Sequence, residues 1–252
     1  MIFNNSGDII NYFSNKKINS NSLSYLGTHA KRFAYMLNEI REIRELIKEP
    51  SITVLDIGPS FFTELYNIEF PDDSIYTLGF SAQESRGGHF PVEIKFDEGK
   101  HFHYNLNDSQ YSGALPEGMP RFDIIIMAEV IEHLYTSPEI VVKCIRNAIK
   151  TDGYMVIQTP NAASFSKRMK LMFKGENPYE LIRLDSCNPG HFREYTKKEL
   201  LKIFKGISFD VHKIETTNYI NFDSTKGPKQ KFIRSLFFPG LRRYIFTILK
   251  NA

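Results

Sequence analysis

The residues between positions 121 and 133 constrain the fold more than any other part of the chain. An apolar, largely β-branched run, Phe122 to Met127, is followed by Glu129, Glu132 and His133. Such a run predicts a buried parallel strand, and ionisable groups just past its end lie where open α/β sheets bind their ligands. The three ionisable side chains share one face of a helical turn, where two carboxylates repel each other unless a cation lies among them. The segment therefore predicts a functional site in an α/β protein.

The composition suits one large domain in a reducing compartment. The chain has 252 residues, 42% of them hydrophobic, and a net charge of +3, which permits an anionic partner without requiring one. Cys144 and Cys187 are too few for a disulfide scaffold and favour a cytoplasmic location. The polar start does not resemble a secretory signal, and no apolar run approaches the roughly 20 residues of a transmembrane segment. An amphipathic membrane helix over 231–250 is an alternative for the tail, although Pro239 and Gly240 would interrupt it.

Apolar runs and turn signals predict that strands alternate with helices. Strands are predicted at 51–57, 74–78, 101–104, 122–127, 154–159, 209–214 and 244–249. Helices are predicted at 28–48 with Thr28 as N-cap, after Ser137 with Gly153 just past the helix end, and after a capping box at Thr196 and Glu199. This alternation predicts a doubly wound sheet. The final two strands have no long helix between them, which indicates an antiparallel edge.

Two stretches stand apart from this alternation. We expect residues 1–27 to form an N-terminal leader, loosely structured up to about residue 22, and residues 28–252 to form one domain with an insertion at 161–190. Within the insertion, basic and apolar residues alternate from Phe165 to Lys174. This pattern predicts a helix with one apolar face, which either covers an anionic substrate or packs on the domain.

A glycine-bearing turn follows the first predicted strand, at Asp56-Ile57-Gly58. Together with residues 122–133, residues 152–161 and the later stretch His191 to Leu200, this turn resembles the ordered motifs of class I S-adenosylmethionine (SAM) dependent methyltransferases. The later stretch is similar to a subset that includes ubiquinone-biosynthesis O-methyltransferases. The resemblance covers residues 50–215 and implies an α/β, doubly wound, seven-stranded Rossmann-like sheet with the last strand antiparallel.

The resemblance also implies which residues hold SAM. They lie in the turn after the first strand, after the third and fourth strands, and on the N-terminal helix: Asp56, Gly58, Ser60, Asn105, Leu106, Met127, Ala128 and Arg32. Tyr25, His29 and Arg32 belong to a segment that often closes over the cofactor in such enzymes. There Arg32 would pair with the methionine carboxylate; a solvated helix face is the alternative.

The chain departs from the family pattern at several cofactor positions. Ser60 and Phe62 stand where glycine is usual, and Gly79 stands where an acid usually holds the ribose hydroxyls. The loss of that carboxylate removes a charge-assisted contact worth roughly 1.5–3 kcal/mol. Asn105 replaces an acid after the third strand, and its side-chain carbonyl can still accept from the adenine amino group.

A second resemblance concerns Glu129, Glu132, His133 and His191. This set is similar to the metal site of plant small-RNA 2′-O-methyltransferases, and it implies a divalent cation such as Mg²⁺, Mn²⁺ or Zn²⁺ beside the acceptor hydroxyl. The residues themselves leave two alternatives open. In a metal-free enzyme His133, with Glu129 beside it, would act as general base; otherwise the four side chains are structural.

The motifs together predict a SAM-dependent O-methyltransferase that acts on a hydroxyl of a sugar, glycan or small molecule. A nucleic-acid acceptor is disfavoured, because the net charge is only +3 and no aromatic and basic RNA-binding module is visible. The alternative from another class is a catalytically silent, methyltransferase-like binding or scaffold protein. The altered glycine turn and the missing ribose acid support that alternative, whereas the intact Glu-Glu-His cluster argues against it.

Overall fold

A seven-stranded sheet organises the part of the chain that the structure, a computed structural model, describes: residues 1–16, 18–80, 97–179, 190–219 and 239–252. The strands are β1 Thr53–Ile57, β2 Ser74–Gly79, β3 His101–His103, β4 Phe122–Ala128, β5 Ile149–Pro160, β6 Asp210–Thr217 and β7 Tyr244–Lys250. Their order across the sheet is β3-β2-β1-β4-β5-β7-β6. Only β7 runs antiparallel to its neighbours β5 and β6. The predicted doubly wound sheet with an antiparallel last strand is confirmed.

Helices cover both faces of this sheet. They are α1 Ser6–Asn15, α2 Ser20–Ile47, α3 Phe61–Glu69, α4 Ser109–Ser112, α5 Pro138–Ala148, α6 Phe165–Met169 and α7 Lys197–Gly206. Alternate residues of each central strand point to opposite layers. Ile124 and Ile126 pack in the layer that contains α1, α2 and α3, whereas Ile125 and Met127 pack in the layer that contains α5 and α7. Burial on both faces explains why β4 is a continuous apolar run.

The N-terminal segment is more ordered than its sequence predicts. Asn5 caps α1 in a capping box with Asp8, and the side chains of Phe3, Ile9 and Phe13 are fully buried. Helix α2 begins at Ser20 behind the N-cap Asn19, eight residues earlier than the predicted cap at Thr28. The prediction of a loose start was wrong, because a few large apolar side chains among the polar ones suffice to fix two helices on the sheet.

Two further predictions, at Gly153 and over residues 231–250, also need correction. Gly153 does not end a helix; it lies inside β5, where an added Cβ would come within 3.0 Å of the Asp123 and Lys150 carbonyl oxygens. Tyr244–Lys250 is β7, so the alternative of a membrane helix is wrong over those residues. Among the described residues, no helix has both the length and the apolar character that a bilayer crossing requires.

Candidate active site

A cleft of about 360 Å³ lies at the carboxyl ends of the parallel strands, the edge where open α/β sheets bind ligands. Its walls are the turn after β1, the end of β2, the loop after β3, the turn after β4 and one face of α2. Tyr25, His29, Arg32 and Phe33 from α2 line it, at spacings of four, three and one residues that put them on one helical face. The expectation that this helix reaches over the site agrees with the geometry.

The turn after β1 is built around Gly58. Its φ is +76°, and its N–H donates to the Leu78 carbonyl at 2.9 Å. A Cβ at this position would lie 2.7 Å from Cγ2 of Val130, so a side chain is excluded by conformation and by contact. The chain next turns into α3, whose N-cap Ser60 accepts from the Phe62 N–H at 3.2 Å. The first turn of α3 borders the cleft through Ser60 and Phe62, and the N–H groups of Ser60, Phe62 and Thr63 are engaged in its capping hydrogen bonds.

Asp56 lies beneath this turn. It lines the cleft but is only 3% exposed, and its Oδ2 accepts from the Thr63 hydroxyl at 2.6 Å. Burial raises the pKa of Asp56 to about 7, against the opposing effect of the Thr63 hydrogen bond. A cationic group of a ligand in the cleft would favour the ionised form.

Asp56→Asn should make the free energy of unfolding less dependent on pH. The folded pKa is about 7 and the unfolded value is about 3.9, so between these pH values only the folded protein holds the proton. Wild-type stability should therefore fall as pH rises through this window, by on the order of 4 kcal/mol from this group. Urea denaturation at a series of pH values, with both proteins, isolates the Asp56 contribution. Parallel curves for the two proteins would contradict the prediction.

Hydrogen bonds of Asn107, in the loop after β3, connect this loop to the loop after β4. The Asn105 Oδ1 accepts from the backbone and side-chain N–H groups of Asn107, both at 3.1 Å. The Asn107 Oδ1 accepts in turn from the Tyr135 and Thr136 N–H groups at 2.9 and 3.1 Å. Asn105 lines the cleft as expected, but its oxygen is already engaged with two donors. An adenine amino group would have to compete with them.

The other expected cofactor residues divide into two groups. Leu106 and Ala128 line the cleft. Met127 does not line the cleft; its side chain is fully buried in the apolar core. Arg32 is buried rather than solvated; its Nη2 donates to the Tyr25 hydroxyl at 3.0 Å, and its Nη1 lies 3.7 Å from Oε2 of Glu129. The alternative of a solvated helix face is wrong for Arg32.

The structure brings together three of the four predicted metal ligands. Glu132, His133 and His191 each offer a ligand atom, and these atoms lie within 4.8 Å of one another. Glu129 lies outside this group. Its φ is +56°, its N–H donates to the Gln158 carbonyl at 2.8 Å, and its side chain lies beside Arg32. A left-handed residue other than glycine is a conformation found at functional sites.

Hydrogen bonds fix the two histidine rings. The His133 Nδ1 lies 2.9 Å from the Gly190 carbonyl oxygen, and the His191 Nδ1 lies 3.1 Å from Oε1 of Glu194. Both acceptors require a proton on Nδ1, so Nε2 carries the lone pair in each neutral ring. Histidine ligands of metals commonly donate in this way to a carbonyl or a carboxylate. The two ring centroids are 4.8 Å apart.

Glu132 is the buried acid of the group. It is fully buried; its Oε2 accepts from the Thr159 hydroxyl at 2.9 Å, and its Oε1 has no hydrogen-bond partner among the described residues. Burial, with a contribution from the charge of Glu129, raises the pKa of Glu132 well above its usual range. Burial also raises the pKa of Glu129 to about 7, opposed by Arg32 and Lys167. One carboxylate and two imidazole nitrogens fit a borderline divalent cation, which would satisfy the orphaned oxygen.

Backbone groups of residues 190, 192 and 193 hold His191 at this position, and we call this set of contacts the main-chain clasp. The Phe192 and Arg193 N–H groups donate to the Glu132 carbonyl at 2.9 and 3.2 Å, and Gly190, with φ +82°, accepts from His133. Loop residues 190–193 are thereby held against the turn after β4. Sequence patterns do not encode such backbone contacts, and Pro189-Gly190 was the only signal of a turn there.

Sequence reasoning missed several polar residues around the site. Gln158 is fully buried, and neither polar atom of its side chain has a partner among the described residues. Lys167 forms an ion pair with Glu194, which also binds His191. Gln158 belongs to the 152–161 motif and Lys167 to the basic stretch 165–174, but neither pattern places the side chain at the site, so only the fold reveals its position.

The sheet order, the antiparallel β7 and the cleft beside β1 and β4 define the class of Rossmann-like SAM-dependent methyltransferases. A family model described as a methyltransferase domain matches residues 29–214. The chain therefore belongs to this methyltransferase family, and SAM is its methyl donor. No curated protein sequence matches the chain.

Two solved structures show the same fold. A SAM-dependent methyltransferase from Thermotoga maritima has 18% sequence identity and a TM-score of 0.53, with 88% of this chain and 91% of that chain covered. The plantazolicin methyltransferase BpumL, solved with SAH, has 14% identity and a TM-score of 0.53, with coverage of 84% and 81%. At these identities the likeness concerns the fold alone.

Proposed function

We propose that this methyltransferase is an O-methyltransferase in which a divalent cation at Glu132, His133 and His191 assists transfer to a hydroxyl. The main observation in support of this proposal is that His133 both lines the cofactor cleft and belongs to the three-residue ligand group. A hydroxyl held at that group would therefore be next to the donor. Glu129, the fourth expected ligand, lies beside Arg32 and outside the three-residue group.

The donor set supports this proposal on chemical grounds. A fully buried carboxylate with one unpartnered oxygen is costly unless it is protonated or paired with a cation. When bound, a cation such as Mn²⁺ or Zn²⁺ would bind the acceptor oxygen, lower the pKa of its hydroxyl and orient it towards the methyl group. Methyl transfer breaks the sulfur–carbon bond of SAM and forms the oxygen–carbon bond, releasing SAH and the hydroxyl proton.

Residues of the chain would hold the cofactor, fix the ligand side chains in place and exclude water from the cleft. Arg32, buried beside Glu129, supplies positive charge at the wall of the cleft, where it can hold the methionine carboxylate of SAM. Thr159 fixes one oxygen of Glu132, and the Gly190 carbonyl fixes the ring of His133. Apolar neighbours such as Phe33 and Leu134 line the cleft and limit the access of water.

The metal-free alternative assigns proton transfer to His133. With Nδ1 bound to the Gly190 carbonyl, Nε2 would accept the proton of the acceptor hydroxyl as a general base. The same residue is then required, but cation removal has no effect on turnover. The metal and metal-free versions therefore differ in whether turnover depends on a bound cation.

The test combines elemental analysis of the purified protein with methyl transfer from SAM to a panel of sugars, glycans and catechols. We expect bound metal, a loss of turnover in excess chelator, and recovery when Mn²⁺ or Zn²⁺ is added back. Glu132→Gln should lose the metal, whereas Glu139→Gln, at an exposed position of α5, should retain it. Full turnover in chelator with a metal-free wild-type protein would overturn metal assistance.

The acceptor class rests on the charge and the chemistry of the site. A cation that binds two neighbouring oxygens suits vicinal hydroxyls, as in sugars and catechols, and we place a sugar or glycan first. A nucleic acid is disfavoured by the net charge of +3. The silent-scaffold alternative predicts no turnover on any acceptor, and the same panel tests it.

A further inference from the structure

Three consecutive large apolar residues lie on the surface beside the site. Leu171, Met172 and Phe173 are 59%, 64% and 74% exposed. They lie in the π-helical turn Lys170–Lys174 that continues α6. A run of exposed apolar side chains costs free energy in water unless something covers it in use. The alternative that this segment packs its apolar face on the domain is wrong for these three residues.

The same segment is basic. Between Phe165 and Gly175 there are four basic residues and no acidic one. Arg168, Lys170 and Lys174 are exposed, and they flank the apolar run on both sides. Apolar side chains interleaved with lysine and arginine match the boundary between acyl chains and anionic headgroups better than they match an apolar protein groove.

The segment is fixed to the active-site loop at its base. Lys167 pairs with Glu194, whose other oxygen binds His191, and the Arg168 Nε donates to the Ala163 carbonyl at 2.9 Å. Gly175, with φ +65°, ends the turn. The base of the exposed apolar tip is therefore tied to the loop that carries His191.

We propose that residues 168–174 form a peripheral docking surface for a membrane that carries anionic phospholipids. Leu171, Met172 and Phe173 enter the interface, and the flanking basic side chains contact the headgroup phosphates. This contact is superficial and places the acceptor side of the cleft near the lipid surface. The inference does not depend on O-methylation or on the metal.

The test is co-sedimentation of the full chain with vesicles. We expect binding to vesicles of equal parts phosphatidylcholine and phosphatidylglycerol, weaker binding at high salt, and little binding to pure phosphatidylcholine. Lys170→Ala with Lys174→Ala should lower the partition coefficient roughly 25-fold, about five-fold for each lysine. Met172→Ser with Phe173→Ser should lower it roughly ten-fold or more.

A matched control is available on α7. Lys198 and Lys202 are exposed and have the same four-residue spacing, so Lys198→Ala with Lys202→Ala should leave vesicle binding unchanged. All substituted side chains are exposed, and a thermal melt of each variant checks its folding. Equal loss in the α7 variant, or equal binding to neutral and anionic vesicles, would overturn the proposal. A wild-type dimer that Met172→Ser with Phe173→Ser converts to a monomer, without vesicle binding, would make the patch a self-association surface instead.

Discussion

Replacing His133 with alanine should lower kcat for methyl transfer by roughly 10²–10⁴-fold, the contribution expected of a positioned acid, base or ligand at the reacting oxygen. His133 is the residue that the cleft and the ligand group share, so its loss affects both the metal and the metal-free version of the reaction. The fall should appear mainly in kcat, because the imidazole acts on the acceptor hydroxyl. Steady-state kinetics with the best acceptor from the panel measures it.

The exposed histidine of β6 provides the control for that variant. His212 is exposed and does not line the cleft, so His212→Ala should retain the wild-type kcat. Measuring both variants with and without chelator separates the two versions, since only the metal version predicts that chelator reproduces the His133→Ala defect in wild-type protein. An undiminished kcat in His133→Ala would remove this residue from the reaction altogether.

Gly58→Ala should weaken SAM binding roughly ten-fold or more, because a residue with a Cβ costs about 1–2 kcal/mol in the left-handed region. The φ of Gly58 is +76°, and its Cβ would also press against Val130. Without ligand the turn can relax away from this strain, and the binding of SAM must then restore the native turn. Titration calorimetry with SAM and SAH measures the loss.

Gly113→Ala separates the backbone effect from the cofactor effect. Gly113 has a similar φ of +66° at the end of α4, and nothing lies within 4 Å of its added Cβ. The substitution should lower the free energy of unfolding by about 1 kcal/mol and leave SAM affinity unchanged. If both variants bind SAM like the wild type, the turn after β1 does not hold the cofactor.

The sheet was predictable because a strand that is buried on both faces is a continuous apolar run in the sequence. The run from Phe122 to Met127 and the cap signals at Ser137 and Thr196 identified β4, α5 and α7. The first helices were less predictable. Their burial depends on isolated side chains such as Phe3 and Phe13, which pattern recognition cannot distinguish from surface residues until the sheet beneath them is known.

The sequence predicted which residue types form the site, but not which of these residues lie together in it. The ordered motifs identified Asp56, Gly58 and the Glu132–His133 turn, and all three lie at the carboxyl edge of the sheet. Met127 is fully buried in the layer that contains α5 and α7, and a motif-based assignment does not take such burial into account. The separation of Glu129 from Glu132 follows from one left-handed φ, and a backbone angle of that kind is not encoded by the spacing of the acids.

The main-chain clasp around His191 bears on how this scaffold can diversify. Three contacts that seat the loop use the N–H groups of Phe192 and Arg193 and the carbonyl of Gly190, and none of these three contacts uses the side chain at position 191. His191→Asp or His191→Cys would present a harder or softer donor atom from the same loop. Under the proposed metal assistance, a lineage with this clasp could therefore exchange its metal preference, or lose the metal, through one substitution without rebuilding the fold.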